Sequence, residues 1–269
     1  MNVSICAILL TFNKLYFHNS ISMCNTLGHL WLELIEWSML KIAFIPARID
    51  SKGIKRKNLC EVGGSSLVRR IAVSAINSFV FDFVVLSSDS DLILNQVIDL
   101  PVKLHLRSKK ASLDTSTASE VLNEWLNCNT NLINQTEDIL FCYLQPTSPF
   151  TSSNTIKEIV RINLNKDLPV VTVFPAKFIP QKILIENQEG LLESLLPEGR
   201  PTSNRQELSK TIYPTGGVYC FRISNFLEVN DIPVLGALGY IVNFPENIDV
   251  DTPEDLAYAQ HLASEKSLP

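Results

Sequence analysis

The chain has 269 residues, 46% apolar and 19% charged, with a formal net charge of -5. That balance supports a packed globular core, excludes a disordered tail-like protein, and fits one large α/β domain or two small ones. Basic residues form no long run, and the densest cluster, Lys52 to Lys57, suits a small polyanion better than a nucleic-acid duplex.

Residues 1–38 differ from the rest. The apolar run Val3 to Phe12 is too short to span a bilayer and follows no basic segment, and Glu33 and Glu36 interrupt the second apolar run. Met39 is followed at once by LKIAFIPAR, which reads as an opening strand. The expectation is that Met39 is the natural start, with 1–38 an N-terminal extension outside the fold and 39–269 the folded domain.

From Lys41 onward, apolar runs alternate with segments of helical period. Lys41–Pro46 reads as a buried strand and Ala47–Asn58 as a polar, basic loop. Ser66–Ser78 places Leu67, Val68, Ile71, Ala72, Ala75 and Ile76 on one helical face. Phe83–Leu86 is a second buried strand, ending at Ser87-Ser88-Asp89. A short helix follows over Ser90–Ile98, then a weaker strand over Val102–Leu106. Thr117 with Glu120 three residues on is a capping-box pattern, opening a helix to about Leu126. Ile139–Leu144 is a buried strand stopped by the turn Gln145–Pro149. Ser153–Leu164 is a helix and Val170–Phe174 a strand.

Segment 175–215 holds five prolines in mixed polarity and reads as an arm or lid leaving the core. The core resumes with strands at Gly217–Phe221 and Tyr240–Phe244. It closes on a helix from Pro253 to about Ala263, with proline in the first turn. Repeated β-α-β units with continuous apolar strands predict an α/β three-layer sandwich around a mostly parallel twisted sheet. Ligands of such sheets bind beyond the carboxyl ends of the strands. That edge carries the loops Ala47–Asn58, Ser87–Asp89 and Gln145–Pro149.

Six cysteines form no C-x-x-C pair and no zinc-spaced cluster, so buried free thiols are expected. The loop IPARIDSKGIKRKN (Ile45–Asn58) follows a strand, precedes a helix, and carries Arg48, Lys52, Lys55, Arg56 and Lys57 around Gly53. Backbone N–H groups and several cations suit a triphosphate; the alternative is a solvated basic loop. Asp249 and Asp251 are two apart on an extended segment, so both carboxylates can face one Mg²⁺; the alternative is that Asp251 caps the last helix. Asp91 suits a helix N-terminus, and Asp89 ends a strand on the ligand edge.

The same loop, with LQPTSP (Leu144–Pro149) and IDVDTPEDL (Ile248–Leu256), resembles the CMP-sialic acid synthetases, or N-acylneuraminate cytidylyltransferases. Their usual first motif reads IPAR-G-G-SKG-x-x-x-KN. Further matches are SSDSDLI (Ser87–Ile93), Arg107 with Asp114-Thr115, Arg205-Gln206-Glu207-Leu208 and Gly216-Gly217-Val218-Tyr219. The resemblance covers about Leu40 to Leu262. It implies a Rossmann-like nucleotidyltransferase fold and a cytoplasmic enzyme. The implied reaction joins CTP to an acidic nine-carbon sugar, giving CMP-sugar and pyrophosphate. Alternatives are another acid sugar (legionaminic, pseudaminic or 3-deoxy-octulosonic) or a non-catalytic nucleotide-binding relative. It also implies Mg²⁺ as cofactor and a homodimer built through the arm, without nucleic-acid or membrane partners.

Position by position, the resemblance puts Arg48 and Lys57 on the CTP phosphates, with Lys52 in support and Asn58 on the nucleotide. Arg107 falls on the cytidine side. Gln145 falls where nucleotide and sugar meet. Lys182, Arg205 and Tyr219 engage the sugar, Arg205 assisting proton removal, and Asp249 and Asp251 hold the metal. A guanidinium stays protonated, so an orienting role for Arg205 is physically easier, and Tyr219 also reads as an ordinary core tyrosine. Three departures stand out: Ile49-Asp50 replace the paired glycines, Ala118 replaces a frequent serine, and Tyr213 and Thr215 replace an Arg/Tyr and an Asn. His18, His29, His105 and His261 read as structural or surface groups.

Overall fold

A computed structural model describes residues 39–51, 53–108, 110–112, 116–133 and 138–265. The extension 1–38, Lys52 and the pair Asp114-Thr115 lie outside the described residues. Leu40–Pro269 forms one compact unit.

β1 (Leu40–Ala47) is the central strand because it is apolar on both faces: Ile42, Ala43, Phe44 and Ile45 are all fully buried. It pairs in parallel with β4 (Phe83–Ser88) on one side and β6 (Ile139–Leu144) on the other. β5 (Val102–Leu106) extends the sheet in parallel beyond β4 as an edge strand. β7 (Val170–Pro175), β10 (Ile212–Arg222) and β11 (Leu238–Ile241) complete seven strands in the order β11-β7-β10-β6-β1-β4-β5. β2 (Glu61–Val62) and β3 (Ser65–Ser66) form a small hairpin before the first helix.

The strand expected at Gly217–Phe221 is longer than its apolar run and antiparallel to both β6 and β7. Its exposed first half pairs with the end of β7, at Ile212 with Pro175 and Tyr213 with Phe174. The strand expected at Tyr240–Phe244 starts two residues earlier, because Leu238 pairs with Val170. It stops at Ile241; Asn243 then accepts a turn bond from Glu246, and Phe244-Pro245 is cis.

Alternate strand residues face two helical layers. On one face, Ile42, Phe44, Phe141 and Tyr143 pack with Trp125 and Leu122 of α3 (Ala118–Cys128) and Phe226 of α6 (Ile223–Val229). α1 (Leu67–Asn77) and α5 (Ser153–Lys166) contact each other and supply further buried apolar stripes. α7 (Pro253–Glu265) buries Ala259 in a separate cluster with Val62, Leu67, Phe150, Ile248 and Val250. α2 (Asp91–Leu94) and α4 (Thr130–Ile133) are single turns. The helix expected over Ser90–Ile98 is thus one α-turn from the Ser90 cap followed by a 3-10 turn.

The N-caps follow the sequence. Ser66 and Ser152 accept from the third helical N–H, and Thr117 with Glu120 forms the full capping box. Each such cap contributes about 1 kcal/mol. The arm 175–215 carries a small hairpin, β8 (Leu184–Glu186) with β9 (Leu192–Ser194), and two 3-10 turns. Cys142 and Cys220 are buried as expected of free thiols, whereas Cys60 is partly exposed and Cys128 exposed; Cys6 and Cys24 lie outside the described residues.

Candidate active site

The carboxyl ends of β1, β5 and β6 open into a cleft of about 340 Å³, within the roughly 300–1,000 Å³ usual for small-ligand sites. Arg48, Lys57, Asn58, Arg107, Gln145 and Asp251 all line it. These residues come from the first loop, the end of β5, the turn after β6 and the segment before α7, so only the fold brings them together.

The first loop is pinned rather than free. Asn58 is buried and its Nδ2 donates to the Arg48 carbonyl at 2.8 Å. The Ile49 N–H donates to Asp89 Oδ1, also at 2.8 Å. Both ends of the Arg48–Ile49 peptide are therefore held by side chains. That fixes the backbone where glycines would leave it free, and gives Ile49 a place in the loop. Asp89, left open by the sequence, here holds the loop. Gly53 packs against the backbone carbonyl of Asp251 so closely that any Cβ would overlap its oxygen. Lys57 Nζ donates to Asp251 Oδ1 at 2.8 Å, with the Lys57 side chain 14% exposed and that of Asp251 69% exposed.

Arg107 forms the opposite wall. It is 9% exposed; Nε donates to Ser87 Oγ at 2.9 Å and a terminal nitrogen donates to the Ser87 carbonyl at 2.7 Å. Burial lowers its pKa, opposed by the Asp89 and Glu124 carboxylates, yet a guanidinium remains a cation. Burial pushes the Tyr143 phenol up, so this cleft-lining ring presents a neutral hydroxyl.

Asp249 and Tyr219 stand just behind the Gln145 wall. Gly216 has φ of 82° in a β-bulge of β10; a Cβ there would sit 2.7 Å from Gln145 Oε1 and 3.6 Å from Asp249 Oδ2. Glycine suits it on both counts: left-handed backbone and close approach. The Tyr219 ring meets Tyr143 edge-on at 6.5 Å, and its pKa rises from burial and from the Asp249 charge. Asp249 Oδ1 is buried with no hydrogen-bond partner. Burial raises the Asp249 pKa, with a Thr147 hydrogen bond opposing and the Asp251 charge adding.

Asp251 does not cap α7. Thr252 Oγ1 accepts from the Asp255 N–H at 3.2 Å, and Asp255 Oδ2 accepts from the Thr252 N–H at 2.8 Å. This reciprocal box leaves both Asp251 carboxylate oxygens to the cleft side. The sequence carries the signal as Thr-x-x-Asp. Asp249 and Asp251 thus provide hard oxygen donors of the kind Mg²⁺ takes, and the orphaned Asp249 Oδ1 fits such a cation. Among the described residues, no group of three or more His, Cys, Asp or Glu is arranged to hold a metal by itself. Two carboxylates are thus what these residues would offer such a cation.

Lys182 and Arg205 do not line the cleft. They stand on the two 3-10 turns of the arm, Lys182 Nζ donating to the Pro201 carbonyl at 3.4 Å. The sequence reading put Ser87 and Thr147 on the ligand edge only as members of loops, Thr117 only as a helix cap and His105 among structural or surface groups, and gave none of them a role at the site; Ser87 and His105 stand at facing positions of β4 and β5, a pairing no linear spacing announces.

The chain is similar to an N-acylneuraminate cytidylyltransferase of Streptococcus agalactiae serotype III, 25% identical over 82% of this chain and 52% of that protein. It thus spans about half the length of that relative. A pseudaminic acid cytidylyltransferase of Campylobacter jejuni is 28% identical over 83% of this chain and 96% of the relative. A CMP-N,N'-diacetyllegionaminic acid synthase of Legionella pneumophila is 28% identical over 82% and 95%. Among solved structures, a CMP:2-keto-3-deoxy-manno-octonic acid synthetase complexed with CTP shares the fold at TM-score 0.59 and 14% identity, covering 84% of this chain and 99% of that one. The family model described as cytidylyltransferase matches residues 42–263, most of the chain and every element around the cleft, and the chain belongs to that family.

Proposed function

We propose that this chain transfers the cytidylyl group of CTP to the anomeric hydroxyl of a sialic-acid-type nonulosonic acid, releasing pyrophosphate. The observation that carries the reading is the cleft itself, where Arg48, Lys57, Asn58, Arg107, Gln145 and Asp251 meet at the carboxyl edge of the sheet. Three cations and the Asp251 carboxylate lining one cleft, with Asp249 just behind its wall, suit a metal-bound triphosphate better than a neutral ligand.

Arg48 and Lys57 bind the phosphates, with Lys52 in support. Asn58 holds the Arg48 backbone in register for the nucleotide. Arg107, with its fixed guanidinium, orients the cytidine side. Gln145 stands where nucleotide and sugar meet. Lys57 leaves Asp251 for phosphate when CTP arrives. Asp249 and Asp251 hold Mg²⁺, which when bound offsets negative charge on the phosphate oxygens. The sugar hydroxyl attacks the α-phosphorus as pyrophosphate leaves, so catalysis rests on alignment and charge neutralisation. Tyr219 contacts the sugar beside Asp249. Lys182 and Arg205 clamp its carboxylate, Arg205 orienting the nucleophile as a permanent cation.

Because Lys182 and Arg205 lie on the arm, the same reading makes the arm a closing or subunit-bridging element in a homodimer. Its exposed apolar residues Phe178, Ile185, Leu191 and Leu192 support that role. The catalytic domain begins at about residue 39. Among the described residues no helix is long and apolar enough to cross a membrane; a cytoplasmic site follows from the need for CTP.

A second reading keeps the chemistry and changes the sugar to pseudaminic or legionaminic acid. It is favoured by relatives of those activities that match over nearly their whole length. Pyrophosphate release with CTP, Mg²⁺ and a panel of the three sugars tests both. Release with N-acetylneuraminic acid alone supports the first. Release with another supports the second, and silence with all three overturns both.

A further inference from the structure

Ser87 and His105 face each other across β4 and β5, in register on the same face of the parallel ladder. Ser87 Oγ lies 2.9 Å from His105 Nδ1 and 2.9 Å from Arg107 Nε, and Ser87 is fully buried. The donor assignment follows from chemistry. A guanidinium nitrogen can only donate, so Ser87 Oγ accepts from Arg107. The serine proton is then free to go to His105 Nδ1, an arrangement in which His105 is the neutral imidazole with its proton on Nε2.

We propose that Ser87 and His105 are positioning residues for Arg107, and that protonation of His105 loosens Arg107 and weakens nucleotide binding. The inference rests on the reading of Arg107 as a CTP-site residue. With His105 protonated, both neighbours of Ser87 Oγ become donors. The serine proton loses its acceptor, and a second cation stands beside the buried guanidinium. The charged groups acting on the imidazole are Glu124 of α3, which favours protonation, and Arg107, which opposes it, while Lys103 lines the same hollow with its ammonium over the Phe83 ring. Burial is the largest influence and holds the His105 pKa below its ordinary value, so the accepting form prevails at neutral pH.

The test is calorimetric titration of the full chain with CTP and Mg²⁺ between about pH 5.5 and pH 8, a window that spans the ordinary histidine range. Wild type, His105→Asn and Ser87→Ala are compared. Asparagine keeps an acceptor near the Nδ1 position but cannot be protonated. His105→Asn is expected to bind within about twofold of wild type at the alkaline end and about fivefold or more tighter at the acid end. Ser87→Ala is expected to bind about tenfold more weakly throughout, because Arg107 Nε loses its acceptor. Any acid weakening shared by wild type and His105→Asn belongs to the triphosphate itself. Superimposable profiles for wild type and His105→Asn overturn the proposal, as does wild-type affinity in Ser87→Ala. Nitrogen-15 imidazole shifts read the tautomer without any ligand: the Nε2–H form is expected, and the Nδ1–H form at neutral pH overturns the proposal whatever CTP does. Failure of wild type to bind CTP at every pH, with the Nε2–H form intact, overturns the reading of the site and leaves Ser87 and His105 as a structural pair.

Discussion

Gly53 rests on the backbone carbonyl of Asp251, a contact that no residue with a Cβ could make. Four residues on, Lys57 reaches the Asp251 side chain. The basic loop and the acidic segment, separated by nearly the whole domain in sequence, are therefore docked by backbone packing and by an ion pair. Gly53→Ala is expected to force them apart. Overpacking of this kind costs about 1–3 kcal/mol. A lower Tm together with at least ~10²-fold lower kcat/KM, the scale for misplacing reacting groups, is the expected result. Normal turnover would show that the docking is dispensable.

Asp251→Ala separates chemistry from stability. Asp251 is largely exposed, and exposed ion pairs contribute about 0–1 kcal/mol. Thermal melting is expected to change little. Activity with Mg²⁺ is expected to fall at least ~10²-fold, the scale of losing one main electrostatic stabiliser. Near-normal turnover would remove Asp251 from the site.

Asp89 holds the Ile49 N–H. Asp89→Asn keeps an acceptor oxygen and is expected to leave KM for CTP within about threefold, whereas Asp89→Ala raises it about tenfold, the scale of one lost hydrogen bond in a buried loop. If asparagine fails as badly as alanine, Asp89 acts through its charge and not through the loop.

Asp249 links activity to pH through stability. Burial raises its folded pKa above that of the unfolded chain. Such a carboxyl stabilises the fold fully below its unfolded pKa, and that contribution is lost as pH rises through the folded value. Asp249→Asn removes the cost of the buried negative charge. Without Mg²⁺, its Tm is expected to exceed that of wild type at neutral pH by about 2–4 °C, the shift of roughly 1 kcal/mol in a domain of this size. The gap is expected to close below about pH 4, where the wild-type carboxyl is protonated in both states. Pyrophosphate release by the variant is expected to be lost. A variant no more stable than wild type would place the Asp249 charge in a satisfied environment.

The arm hairpin leaves Ile185, Leu191 and Leu192 in water. The pair of changes Ile185→Glu and Leu192→Glu is expected to convert a dimer to a monomer in light scattering, leaving the far-ultraviolet spectrum unchanged. An unaltered mass would take this hairpin out of the interface.

The sheet core was readable because its strands are continuous apolar runs, and the helices because Leu67 to Ile76 keeps a helical apolar face and Thr117 stands with Glu120 in a capping box; the caps Ser66 and Ser152 emerge only in the fold. The direction of β10 was not readable: an apolar run such as Val218 to Phe221 is the same run whichever way it lies. Nor was its first half, where Ile212 to Thr215 is paired by backbone bonds that need no apolar side chain. For the site, Arg48, Lys57, Asn58 and Asp251 were legible from loop composition and motif order. Ser87 and His105 were not, because their meaning lies in strand register. Lys182 and Arg205 were read from motif order alone, and their distance from the cleft reflects an arm whose position no local pattern encodes.

Because β10 runs against its neighbours, it begins at the same rim where β7 ends. Both feet of the arm thus stand on the same rim of the sheet as the cleft, with Ile212 beside Pro175. Had β10 been parallel, the chain would have had to cross to the far rim first, and the intervening segment would have been committed to the scaffold. Here residues between the two feet can lengthen, shorten or be exchanged without altering the register of the seven-stranded sheet. The fold thereby separates a fixed sheet-edge platform from an exchangeable canopy, and on the proposed reading a change in the canopy would alter the sugar contacts of Lys182 and Arg205 while leaving the platform intact.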